Sequence, residues 1–84
     1  MYYEDLFEPI EVVTYFREGK IIPLKFRWNG RVYIVRHVHG QWKQKQGYAT
    51  QFYFSTRSDG SDFFELMFDT GDFSWKLARV CLEG

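Results

Sequence analysis

Apolar and polar residues alternate along most of this chain, and Gly-containing turn signals break the alternation at intervals. A period of two puts every second side chain on one face of a strand, and no segment sustains the 3.6-residue period of a helix. Alternation also tests registers, because residues paired across a hairpin must share a face. In "LKFRWNGRVYIV", Asn29-Gly30 is a strong two-residue hairpin signal, pairing Trp28 with Arg31, Phe26 with Tyr33 and Leu24 with Val35. The predicted core face is Leu24, Phe26, Trp28, Tyr33 and Val35; the other face is Lys25, Arg27, Val32, Ile34 and Arg36.

The remaining hairpins follow the same logic. A two-residue Asp59-Gly60 turn would set Phe54 against Glu65, a poor match. A three-residue loop, Ser58-Asp59-Gly60 with Gly60 left-handed, pairs Phe54 with Phe64 and Phe52 with Leu66. A Thr70-Gly71 turn aligns Phe68 with Phe73, Leu66 with Trp75 and Phe64 with Leu77, and sets Glu65 opposite Lys76 and Asp62 opposite Arg79. A loop at Arg17-Glu18-Gly19 pairs Val12 with Leu24 and Ile10 with Phe26, with Pro23 at an edge because it lacks an amide donor. The alternation shifts near Arg36-His37, where Val38 rather than His37 suits the core, and a bulge is expected there.

Six strands result, at 10–16, 21–28, 31–39, 49–57, 62–69 and 73–81. The expected fold is all-β: a single six-stranded antiparallel meander curled into a small SH3-like barrel or β-roll. One domain spans 1–84, with an acidic N-terminal segment at 1–8 and a long polar loop at 40–48.

Composition supports a small aromatic core, since nine Phe, six Tyr and three Trp share 84 residues. The lone Cys81 excludes an internal disulfide framework and fits a reducing cytosol. "MYYEDLFEPI" is acidic with no apolar h-region, so no secretory leader is expected, and no run is long and apolar enough for a membrane span. The expected location is therefore cytoplasmic. Formal charge is zero but uneven. Residues 1–16 carry four acids and no base, residues 17–57 carry nine bases against Glu18, and residues 58–84 carry six acids against Lys76 and Arg79. Either the basic centre binds an anion, or acidic terminal strands lie beside it and neutralise it.

The pattern "PLKFRWNGRVYIV", then Trp42, then "FFELMFDTGDFSWKL" resembles a small, functionally uncharacterised bacterial β-domain family. That family carries a Phe-x-Trp-x-Gly-Arg-x-Tyr-x-Val run, a later Trp and a closing Leu…Asp…Trp-x-Leu hairpin. Some of its members are encoded near translesion DNA polymerase genes. The resemblance covers residues 9–80 and rests on core and turn positions, so it implies a fold and assigns no catalytic or ligand residue.

Candidate chemistry is sparse. His37-x-His39 puts two imidazoles on one strand face, but no third metal ligand is local, so no metal or other cofactor is expected. Cys81 has no activating partner in sequence, and Asp69 and Asp72 flank a turn, where Asp caps backbone amides. Nucleophile elbows, phosphate loops and CxxC spacing are absent, so an enzyme is not expected.

The stretch "GQWKQKQGY" is richer. Trp42 and Tyr48 offer stacking faces, Lys43 and Lys45 offer phosphate contacts, and Lys25, Arg27 and Arg36 could extend the basic track. The first reading is thus a non-catalytic binding module with a nucleic-acid partner. In the competing picture Trp42 folds back to plug the end of the barrel. A second reading is a protein-interaction or homodimerising domain using Tyr53, Phe63 and Met67, which share the outer face beside Val80. The acidic "YYEDLF" segment covering that patch is the alternative.

Overall fold

A computed structural model describes residues 2–82. The strands are β1 (Tyr2–Arg17), β2 (Lys20–Trp28), β3 (Arg31–Ile34), β4 (His37–Gln46), β5 (Ala49–Arg57), β6 (Phe63–Asp69) and β7 (Ser74–Leu82). They form one antiparallel sheet in the order β3-β2-β1-β7-β6-β5-β4, and no helix occurs among the described residues. The sheet is not closed, so β3 and β4 are its edges.

The architecture is all-β as expected, with seven strands rather than six. The structure departs from the expectation in three places, and the division of the 31–39 strand adds the seventh. The acidic N-terminal segment is not a flank: residues 2–10 of β1 pair with β7 and residues 11–17 pair with β2. The expected 31–39 strand divides at Val35 and Arg36, whose amides donate to Leu24 O and Arg57 O, each at 2.9 Å. The expected 40–48 loop is mostly strand, since β4 runs to Gln46 and only Gly47 and Tyr48 make the turn. Its alternation places Trp42, Gln44 and Gln46 against Lys43 and Lys45, so no apolar face announced it.

The Asn29-Gly30 register was legible in the sequence. At Asn29-Gly30 both residues have positive φ, 51° and 75°, as the tight hairpin twist demands, and Phe26 pairs with Tyr33 as expected. The first hairpin uses the two-residue turn Glu18-Gly19 instead of a three-residue loop, which pairs Val12 with Phe26 and Thr14 with Pro23. Leu24 is left over at the irregularity and leaves the predicted core face, 45% exposed. Pro23, lacking a donor, is buried in its place.

Longer connections slipped the other two registers. β5 and β6 pair Phe54 with Leu66 and Phe52 with Phe68, across a connection spanning 58–62. The buried Thr56 hydroxyl donates to Phe64 O at 2.8 Å and holds that register. In the last hairpin Phe68 pairs with Trp75 and Leu66 with Leu77 across the turn at 70–73. That turn is braced by Gly71 N donating to Asp69 Oδ1 at 2.8 Å and Ser74 Oγ donating to Asp72 Oδ1 at 2.6 Å. A shift between Glu65 and Leu66 leaves Ala78 unpaired on β7, so Glu65 faces Arg79 rather than Lys76. Val80 then turns into the core and Cys81 onto the outer face.

The sheet curls strongly. Phe64 on β6 meets Phe26 on β2 at 5.5 Å between ring centroids and Tyr33 on β3 at 4.9 Å, although β7 and β1 lie between them in the ladder. Leu66, Leu77, Phe54 and Trp75 fill the rest of the interior, and Trp28 Nε1 donates to Glu8 Oε1 at 2.9 Å to close its rim.

Candidate binding face

Strand pairing arranges the outer face into three rows of side chains. The first is Trp42–Tyr53–Met67–Lys76–Pro9, the second Gly40–Ser55–Glu65–Arg79–Asp5, and the third His37–Arg57–Phe63–Cys81–Tyr3. Rows two residues apart along a strand are separated by about 6.7 Å.

The first row ends in an aromatic pair. Trp42 and Tyr53 stack with centroids 5.3 Å apart and planes 3° from parallel, and Trp42 is 42% exposed. Trp42 is therefore neither a free loop residue nor a barrel plug. Lys43 and Lys45 pair with Phe52 and Thr50 and point to the other side of the sheet from Trp42. Because β4 is an edge, both sides border the same open space beyond it. Tyr48 lies fully exposed in the following turn.

The other predicted basic residues fall elsewhere. Lys25 and Arg27 sit on β2 among Val13, Val32 and Ile34, and Arg27 lies 3.9 Å from Glu11. Arg36 bonds Asp59 at 3.1 Å. The His37 and His39 rings lie 5.7 Å apart, and the bulge falls at His39, between Val38 and Gly40, rather than at Arg36-His37. Among the described residues no group of three His, Cys, Asp or Glu is placed to hold a metal ion. Among them, too, no helix is long and apolar enough to cross a membrane.

The predicted partner patch is only partly a surface. Tyr53 and Met67 are cross-strand partners, but Met67 is 5% exposed, Phe63 lies two rows away, and Val80 is in the core. A broader apolar surface was missed: Val13, Tyr15, Ile22, Leu24, Val32 and Ile34 are exposed on β1, β2 and β3. Its signal was present in Val32 and Ile34 opposite the core face, where Lys25 and Arg27 interrupt the apolar pattern with charge.

A cavity of about 250 Å³ opens in the second and third rows, lined by Tyr3, Ser55, Phe63, Glu65, Arg79 and Cys81. Arg79 Nε donates to Asp5 Oδ1 at 2.9 Å, and its guanidinium lies 5.2 Å from the centre of the Tyr3 ring. The Arg57 guanidinium lies 5.7 Å from the centre of the Phe63 ring, which meets the His39 ring in a T-shaped contact at 5.2 Å. Burial pushes the Glu65 carboxyl above its ordinary pKa; Arg79 pulls it down and Asp5 adds to the rise.

A carboxyl that titrates higher in the folded than in the unfolded chain destabilises the fold when ionised, and this burden lifts as pH falls through its folded pKa. Glu65→Gln is therefore expected to raise the thermal midpoint at neutral pH. The gain should shrink as pH falls through the raised Glu65 range. Melting both proteins across a pH series checks this, and a gain that grows toward acid would contradict it.

Comparison with protein-family models, with curated proteins and with solved structures finds no match for this chain.

Proposed function

We propose that this chain is a non-catalytic cytoplasmic module that binds single-stranded nucleic acid along its β4 edge, on a curled sheet of SH3-like form. The observation that carries this reading is the parallel-stacked Trp42–Tyr53 pair, whose Trp42 ring is half open to solvent on an edge strand. An aromatic face of that kind stacks any base, which suits strand binding without sequence preference. Lys43 and Lys45 flank the same edge and supply phosphate contacts from the other side. The same lysines discourage edge-to-edge pairing between copies, so their charge also has a protective role. The resemblance to a family with members encoded beside translesion polymerases agrees with this reading.

Short labelled single strands, titrated across a salt series, test it. Affinity is expected to fall log-linearly with salt, by a slope of about −0.7 per phosphate neutralised. A Lys43→Ala/Lys45→Ala double variant should show a shallower slope. No binding at low salt would end the reading.

The exposed apolar face of β1, β2 and β3 favours a second reading, a protein-interaction or self-associating domain. Absence of oligonucleotide binding together with a dimeric mass in solution would make that reading the first.

A further inference from the structure

The cavity beside the aromatic edge has its own chemistry. Tyr3, Cys81 and Phe63 occupy one row on β1, β7 and β6, so the two aromatic residues stand two strand spacings apart, about 9.6 Å. A planar ring laid on another needs about 3.5 Å. Cys81, small and buried between them, keeps the floor low. The Arg79 guanidinium lies over the Tyr3 ring, so the slot has one open aromatic wall, Phe63, and room for one flat group against it.

Its end is polar in a particular order. Glu65 and Arg79 are cross-strand partners, so an acceptor-only group and a donor-only group stand side by side at the slot. Arg79 spends its Nε on Asp5, which fixes the guanidinium while its terminal nitrogens keep further donors. A carboxylate matches two adjacent N–H donors, and a neighbouring guanidinium matches a carbonyl oxygen. Guanine presents that sequence along one edge: O6, N1–H and the N2 amino group. Thymine offers one N–H between two carbonyls, and adenine and cytosine put an acceptor nitrogen where guanine has N1–H.

We infer that this slot takes a single guanine-type ring, stacked on Phe63 and read on its edge by Glu65 and Arg79. As a feature of a bound strand it rests on the single-strand reading: the slot lies two rows, about 13 Å, along the strands and three strand spacings, about 14 Å, across the sheet from Trp42. A few nucleotides of an extended strand cover that diagonal, so one base reaches the slot while another stacks on Trp42. The same ring chemistry also arrives as a free nucleoside. The raised titration of Glu65 reports a partly desolvated acceptor, as base reading by hydrogen bonds requires.

The test uses the full chain with short oligo-dT strands carrying one central dG, dC or dA, all-dT as reference, and guanosine alone. Central dG is expected to bind about tenfold more tightly than all-dT, the worth of one charge-assisted contact. Glu65→Gln should erase that preference while leaving all-dT affinity in place. The preference of the unaltered protein reads the slot even if the variant folds poorly. Equal binding of dG and dT strands overturns the inference and leaves the single-strand reading standing, as does a dG preference that survives in a folded Glu65→Gln protein. Guanosine binding that depends on Glu65, with no strand bound at low salt, keeps the slot and removes the strand reading. Failure of both ligands overturns both.

Discussion

Leu66→Ala is expected to remove a large share of this protein's stability, about 2–5 kcal/mol. Leu66 and Leu77 are both 0% exposed and are cross-strand partners, so truncation leaves a void that neighbouring rings cannot fill without moving. A domain this small belongs near the lower end of the usual range of roughly 5–15 kcal/mol, so the loss approaches the total. Urea titration checks it: the midpoint should fall steeply at an unchanged slope. Leu24→Ala is the internal control. A regular hairpin register would make Leu24 a core residue, whereas the bulge turns it outward, so its truncation should cost under about 1 kcal/mol. Comparable losses at Leu24 and Leu66 would mean that the bulge between Val13 and Thr14 is misplaced.

Trp42→Ala should weaken single-strand binding by about 1–3 kcal/mol, roughly 5- to 150-fold in Kd. One face of the ring stacks on Tyr53 and the proposed strand would take the open face, so binding should suffer far more than folding. Trp42→Phe, which keeps a smaller stacking face, should recover part of the loss. Anisotropy titrations of the three proteins at one salt concentration decide this. Equal affinities for wild type and Trp42→Ala would show that the strand lies elsewhere or does not bind.

Face assignments survived where registers did not. Slipping β5 against β6 by two residues replaces Phe64 with Leu66 opposite Phe54, yet every side chain stays on its own side of the sheet. Alternation therefore identified Phe52, Phe54, Phe64 and Leu66 as interior even though the Ser58-Asp59-Gly60 loop was too short. A bulge has the opposite effect. The extra residue at Ala78 inverts the alternation after it, sending Val80 inward and Cys81 outward, and no local pattern in "WKLARVCL" marks that point.

The candidate site was legible in part. Trp42 stood out as a large aromatic among glutamines and lysines, and the structure gives it the half-open surface position a stacking role needs. Lys43 and Lys45 are near neighbours of Trp42 in sequence, but successive residues on a strand point to opposite faces, which sets them apart from it. The Glu65–Arg79 slot was not legible at all. It needs Tyr3 from one end of the chain beside Cys81 from the other.

By itself the sequence determined an all-β domain, the position of the Asn29-Gly30 hairpin and most of the aromatic interior. These follow from side-chain alternation and turn conformations, which are properties of a few consecutive residues. Only the tertiary structure decided that β1 joins both β2 and β7, that residues 40–46 are an edge strand, and where the bulges fall. Those outcomes depend on long-range pairing, where backbone hydrogen bonds are nearly equivalent among registers. Packing around Phe26, Phe64, Leu66 and Leu77 selects one of them.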